Sequence, residues 1–249
     1  MAALKFNLAA AEILKARKLN WKFWTVVGLL TLVGGVFLIV GFWRPGIFRG
    51  RPNDGHRLGG DLMSDLSGNT IECFVRGIEN HEQKDSWKYA ECDVRETKDH
   101  HLIVFHDWDI SSLKNVAENQ TALGEDVGSQ AICDLTLEQI QGLRLNCGSR
   151  IPTLEQVLNK AAELRLTKPL LLEFKHLHSD GAREDLLELA KNHRDEHGIE
   201  IHFLSFVRNV EICFPDAKSW VEKFNRNGFR IYQVYRPKTE KFDMCRWWK

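Results

Sequence analysis

The chain has 249 residues with 34 basic and 34 acidic side chains, a formal net charge of +0 and an isoelectric point near 7.1. That balance excludes a strongly basic nucleic-acid binder. Six cysteines lie scattered, none in C-x-x-C spacing, which argues against a structural zinc site or a thioredoxin-like motif and for mostly free thiols. Residues 1–22 mix Ala, Leu, Ile and Lys and read as a flank able to form an amphipathic helix. Residues 23–43 form an uncharged stretch of 21 residues with Trp24 and Trp43 near its ends. That length predicts a transmembrane helix and a single-pass membrane localisation, with flanking charge slightly favouring a cytoplasmic N-terminus. Residues 44–54, rich in Pro and Gly, read as a linker to a globular domain over 55–249.

His56-Arg57 opens that domain. Asn69-Thr70 precedes a helical pattern carried by Ile71, Phe74, Val75 and Ile78, and Asn69 either orients a site group or caps this helix. Two strand-like runs, 89–96 and 101–106, flank a polar turn. Side chains alternate along a strand, so Glu91 and Asp93 share one face and Cys92 packs from the other. Two carboxylates on one face can share a hard divalent cation. The second run ends at His106-Asp107, where a histidine can do acid–base work.

Residues 111–130 are polar with several Gly and Asn and read as a long loop. A short helix follows over 137–143, and Pro152-Thr153 starts the next, with Leu154, Val157, Leu158 and Ala161 on its buried face. Residues 169–175 form an apolar strand with Glu173 and Lys175 on one face. His176 and His178 after it read as a solvated loop. Asp180 is the expected cap of a charged helix reaching His197 and stopped by Gly198. A strand over 199–206, a helix over 217–225 and a strand over 229–235 complete the pattern, followed by a short basic-aromatic tail. Strands alternating with helices predict an α/β protein with a largely parallel sheet. Polar groups at the strand ends suit the active-site rule of a (β/α)₈ barrel, although about six strand candidates fall short of eight.

Taken together, His56-Arg57, Asn69-Thr70, Glu91-Cys92-Asp93, Thr97-Lys98-Asp99, His106-Asp107, Pro152-Thr153-Leu154 and Glu173-Phe174-Lys175 resemble, in order, the motifs of the glycerophosphodiester phosphodiesterase family: H-R, E-N-T, E-x-D, T-K-D-G, H-D, P-T-L and E-x-K. The resemblance covers about residues 52–215. It implies a TIM-barrel-like domain, here with a short C-terminal half. Glu91, Asp93 and Glu173 would be ligands of a divalent cation, Ca²⁺ or Mg²⁺. His56 and His106 would be the catalytic proton carriers, and Arg57 and Lys175 would bind the substrate phosphate. The implied reaction is hydrolysis of a glycerophosphodiester to glycerol phosphate and an alcohol. The expected membrane segment suggests lysophospholipids as alternative substrates, and a non-catalytic binding protein keeping the fold is the rival class. Three departures stand out. Leu58 replaces the Gly of H-R-G and is followed by Gly59-Gly60, Gly68 replaces the Glu of E-N-T, and His100 replaces the Gly of T-K-D-G.

Overall fold

The computed structural model describes residues 53–113, 119, 123, 130–235 and 243–246. They build one mixed sheet, with helices packed mainly on one of its faces. Strand β1 is Ala90–Glu96, β2 Leu102–Val104, β3 Leu170–His176, β4 Ile201–Ser205, β5 Ile231–Tyr235 and β6 Asp243–Arg246, in the spatial order β2-β1-β3-β4-β5-β6. The four inner strands run parallel, in the register Asp93↔Glu173, Glu173↔Leu204 and Leu204↔Tyr232. β2 and β6 pair antiparallel at the two edges.

Helix α1 is Ile71–His81, α2 Leu137–Gly142, α3 Leu154–Glu163, α4 Asp180–His197, α5 Val207–Cys213 and α6 Ala217–Arg226. Each of the longer helices starts where a hydroxyl or carboxylate accepts an otherwise unpaired N–H. Thr70 accepts from Cys73 and Asp216 from Ser219. Thr136 and Thr153 form reciprocal capping boxes with Gln139 and Gln156. Ser179, not Asp180, caps α4, because its hydroxyl reaches the N–H of Ala182. Gly198 ends that helix at φ 69°, a left-handed position open to glycine at little cost.

Alternation along β3 sorts its side chains. Leu170, Leu172 and Phe174 enter the main core beneath the helices with Phe74, Trp87, Phe203, Phe214 and Phe224. Leu171 turns to the other face and joins Leu204 and Tyr232, the face from which Glu173 also projects. A second core gathers Ile103, Ile110, Leu135, Ile140 and Ile151 around β2 and α2. Before α1 the backbone is drawn very tight. A Cβ on Gly60 would lie 2.4 Å from Cα of Gly68, and one on Gly68 would lie 2.8 Å from Cβ of Arg57.

Several expectations need correction. Among the described residues no helix is long and apolar enough to cross a membrane. The structure therefore supplies no transmembrane helix, membrane partner or single-pass localisation; residues 23–43, where these were expected, lie outside the described residues, as do 1–22 and most of the 111–130 loop. The α/β expectation itself stands, in the incomplete form that six strand candidates allow: the described sheet is open, with four parallel strands where closure of a barrel takes eight, and antiparallel β2 and β6 occupy its edges. β6 lies in what the sequence presents only as a tail, and α5 was not anticipated. Cys73, Cys92, Cys133, Cys147 and Cys213 are free thiols, with Cys92 buried in the main core.

Candidate active site

Glu91 and Asp93 alternate onto one face of β1, and the parallel register sets Glu173 of β3 beside Asp93. All three carboxylates are buried, and one oxygen from each lies within 4.8 Å of the others. Lys175, two residues along β3, places its Nζ 2.6 Å from Glu173 Oε1 and 3.0 Å from Asp93 Oδ1. Burial, with the charges of Asp93 and Glu173 adding to it, pushes the pKa of Glu91 well up. Burial also raises Glu173, against the opposing pull of Lys175. For Asp93 burial acts in the same sense, but Lys175 and a hydrogen bond from Asn69 outweigh it and the net shift is downward. The environment thus favours the neutral form of Glu91 and Glu173 and the charged form of Asp93.

The segment from His56 to Leu62 closes over these carboxylates. Arg57 and Leu58 have φ values of 49° and 59°, and Gly59 follows at 90°. Two side-chain-bearing residues in the left-handed region cost roughly 1–2 kcal/mol each. Two contacts hold them there. Leu58 is completely buried in the main core, and the Arg57 N–H donates to Glu91 Oε2 at 2.8 Å. Gly55 just before is pressed so close to Tyr89 that a Cβ would sit 1.9 Å from its carbonyl oxygen. The Arg57 Nε lies 3.9 Å from Asp93 Oδ2, too far for a hydrogen bond. It is buried without a hydrogen-bond partner, as is Glu91 Oε1.

The two histidines are fixed alike. Nδ1 of His56 lies 2.7 Å from Asp61 Oδ2, and its Nε2 lies 3.8 Å from Glu91. Nδ1 of His106 lies 2.8 Å from Asp107 Oδ1, and Asp107 Oδ2 accepts from the Ser112 hydroxyl at 2.6 Å. The His106 carbonyl is gripped by Arg95 through Nε and Nη2 at 3.2 and 2.7 Å. All seven residues singled out in the sequence belong to this one neighbourhood or border it.

A family model, that of the glycerophosphoryl diester phosphodiesterase family, matches residues 56–209. The chain belongs to this family. Among solved structures it is similar to a protein from Galdieria sulphuraria assigned as a glycerophosphodiester phosphodiesterase, at 22% identity and a TM-score of 0.54, covering 73% of this chain and 63% of that one. It is also similar to a glycerophosphodiester phosphodiesterase from Agrobacterium tumefaciens, at 18% identity and a TM-score of 0.47, covering 71% of this chain and 63% of that one. The chain therefore spans less than two thirds of either protein's length, and the likeness to the first establishes the fold alone. No curated protein matches it.

Against the glycerophosphoryl diester phosphodiesterase motifs, sequence reasoning left one residue that holds others in place undecided and missed the rest. Asn69 resolves as an orienting residue: its Nδ2 donates to Asp93 Oδ2 at 2.7 Å and its Oδ1 accepts the Asp93 N–H, while Thr70 does the capping. Asp61, Asp107 and Arg95 had no assigned role. Arg95 was readable, since the alternation that selects Glu91 and Asp93 continues to it. Asp61 was not, because only the unusual backbone at Arg57–Gly59 brings it back to His56.

Proposed function

We propose that the protein hydrolyses glycerophosphodiesters to glycerol phosphate and an alcohol, using a divalent cation and two histidines. The supporting observation is a pair of buried polar atoms of opposite character without partners: Glu91 Oε1, an acceptor suited to a cation, and Arg57 Nε, a donor suited to an anion. A phosphodiester bound to a metal ion presents both complements at once.

Glu91, Asp93 and Glu173 would hold the cation, and an all-carboxylate donor set suits Ca²⁺ or Mg²⁺ rather than a softer ion. When bound, such an ion polarises a phosphoryl oxygen and offsets negative charge. Arg57 Nε and the Lys175 ammonium would donate to the non-bridging oxygens, most strongly as charge builds in the transition state. With Nδ1 of each histidine committed to a carboxylate, Nε2 becomes the nitrogen that exchanges protons. One of His56 and His106 removes the proton from the attacking oxygen as the new P–O bond forms. The other delivers a proton to the leaving alcohol oxygen as the old P–O bond breaks.

The test is choline release from glycerophosphocholine by the full chain, with EDTA and then with Ca²⁺ or Mg²⁺ restored. Cation-dependent release, abolished in Glu173→Gln, is expected. No release from glycerophosphocholine or from other glycerophosphodiesters by folded, cation-loaded protein would overturn the proposal.

A further inference from the structure

β1 ends on Glu96, a carboxylate with no part in the reaction proposed above. It is completely buried, and it faces away from the catalytic carboxylates, toward the start of α4. Its Oε2 accepts from the backbone N–H of Ser179 at 3.0 Å and from that of His178. Its Oε1 lies 2.7 Å from Nδ1 of His100, in the turn between β1 and β2. Nδ1 of His178, in the loop between β3 and α4, lies 3.2 Å from Oε2. One ligand atom from each residue falls within 4.8 Å of the other two, and the imidazole centroids are 5.5 Å apart. His178 is an exposed loop residue, as its sequence position suggests, and it is also tied to the buried Glu96.

Three features make this more than a hydrogen-bonded tie. The backbone N–H groups on Oε2 hold the carboxylate in one orientation, as outer-shell donors hold a ligating carboxylate. His100 sits at φ 68°, where the family motif has Gly, so a side chain is kept at a position whose backbone favours none. The imidazoles are 59% and 34% exposed above a buried anion, which gives an ion a path from solvent to a fixed floor. Ligands on a tetrahedral zinc stand about 3.3 Å apart, given bonds of about 2.0–2.1 Å. The His178–Glu96 separation of 3.2 Å is close to this value, and the His100–Glu96 separation of 2.7 Å is shorter, so His100 must swing outward to ligate.

We propose that Glu96, His100 and His178 form a second metal site, for a borderline transition-metal ion such as Zn²⁺. Two imidazoles and one carboxylate favour Zn²⁺ over Ca²⁺ and Mg²⁺, the reverse of the preference at Glu91, Asp93 and Glu173. Each imidazole presents the Nδ1 lone pair and keeps its proton on Nε2. The ion joins the end of β1, the β1–β2 turn and the loop that follows Lys175. The proposal does not depend on the phosphodiesterase reading.

The test is Zn²⁺ titration of the full chain in saturating Mg²⁺, against a chromophoric chelator, with Co²⁺ as a spectroscopic substitute. The comparison is the double variant His100→Asn/His178→Asn, since Asn tolerates positive φ and still hydrogen-bonds to Glu96. Wild type should bind one Zn²⁺ with micromolar or tighter affinity and give a visible Co²⁺ band. The double variant should bind at least about 100-fold more weakly and lose the band, with its metal-free Tm unchanged. Glu91→Gln/Glu173→Gln should leave Zn²⁺ affinity within about twofold of wild type. Absence of Zn²⁺ binding in wild type, its persistence in the histidine variant, or its loss in the carboxylate variant would each overturn the proposal.

Discussion

The backbone N–H of Arg57 donates to the buried carboxyl of Glu91 at 2.8 Å, so a metal-ligand candidate also pins the strained turn that carries Arg57 and His56. Burial and two neighbouring carboxylates raise the pKa of Glu91. Its contribution to stability is therefore full below the ordinary glutamate value of about 4.3 and is lost as pH rises through the folded value. Glu91→Gln keeps an acceptor for the Arg57 N–H and removes the charge. In EDTA at pH 7–8 it should gain on the order of 1 kcal/mol, a Tm rise of about 2–4 °C. The same variant should lose the Tm increase that Ca²⁺ or Mg²⁺ gives wild type. Calorimetry with and without cation checks both, and a lower Tm in EDTA would contradict the charge argument.

Asp107 faces His106 Nδ1 with one oxygen and Ser112 with the other. Burial alone would raise its pKa, but these hydrogen bonds outweigh it and hold the carboxyl below the usual aspartate range. Asp107→Asn should lower kcat by about 10²-fold with little change in KM. Because the folded pKa is depressed, the stabilisation is present above about pH 4 and lost as pH falls through the folded value. The Tm difference between wild type and variant should be visible at pH 7 and close in acid. A difference that persists at pH 3 would point to packing instead.

Asn69 combines a buried tie to Asp93 with a φ of 63°. Asn69→Ala leaves Asp93 short of a donor and removes the polar side chain that makes Asn tolerant of the left-handed region, costing about 2–4 kcal/mol together. Asn69→Gly relieves the second contribution and should recover about 1 kcal/mol by chemical denaturation. Both should weaken cation binding equally, since both lose the bond to Asp93.

Cys147 differs from the other described thiols. Burial raises its pKa, but hydrogen bonds from Ser149 and Ser67 outweigh this and bring it to about 7. Burial pushes Cys73 and Cys213 up to about 11 and also raises Cys92 well above the ordinary thiol value. Iodoacetamide at pH 7 should label Cys147 first among Cys73, Cys92, Cys133, Cys147 and Cys213, with a rate that is half-maximal near pH 7. Peptide mapping over a pH series reads this directly.

The carboxylate face was legible because strand period alone puts Glu91 beside Asp93, and Glu173 beside Lys175. Helix starts at Thr136 and Thr153 were legible from their capping chemistry. What period cannot carry is contact between distant segments. The parallel register that sets Glu173 against Asp93, the turn that returns Asp61 to His56, and the meeting of Glu96 with His178 all arise from tertiary packing. β6 is the matching failure for the fold, since its tail has no alternation strong enough to mark a strand.

The Gly60–Gly68 contact has a consequence for re-engineering the metal preference. Position 68 is where the family motif carries a further acidic residue. A side chain returned there would meet Arg57 Cβ at 2.8 Å, with Gly60 also in the way. The glycine of the E-N-T motif and the altered H-R-G motif are thus mechanically interlocked. A carboxylate returned to position 68 is out of reach of a single substitution, and adding one there means rebuilding residues 57–60 in the same step.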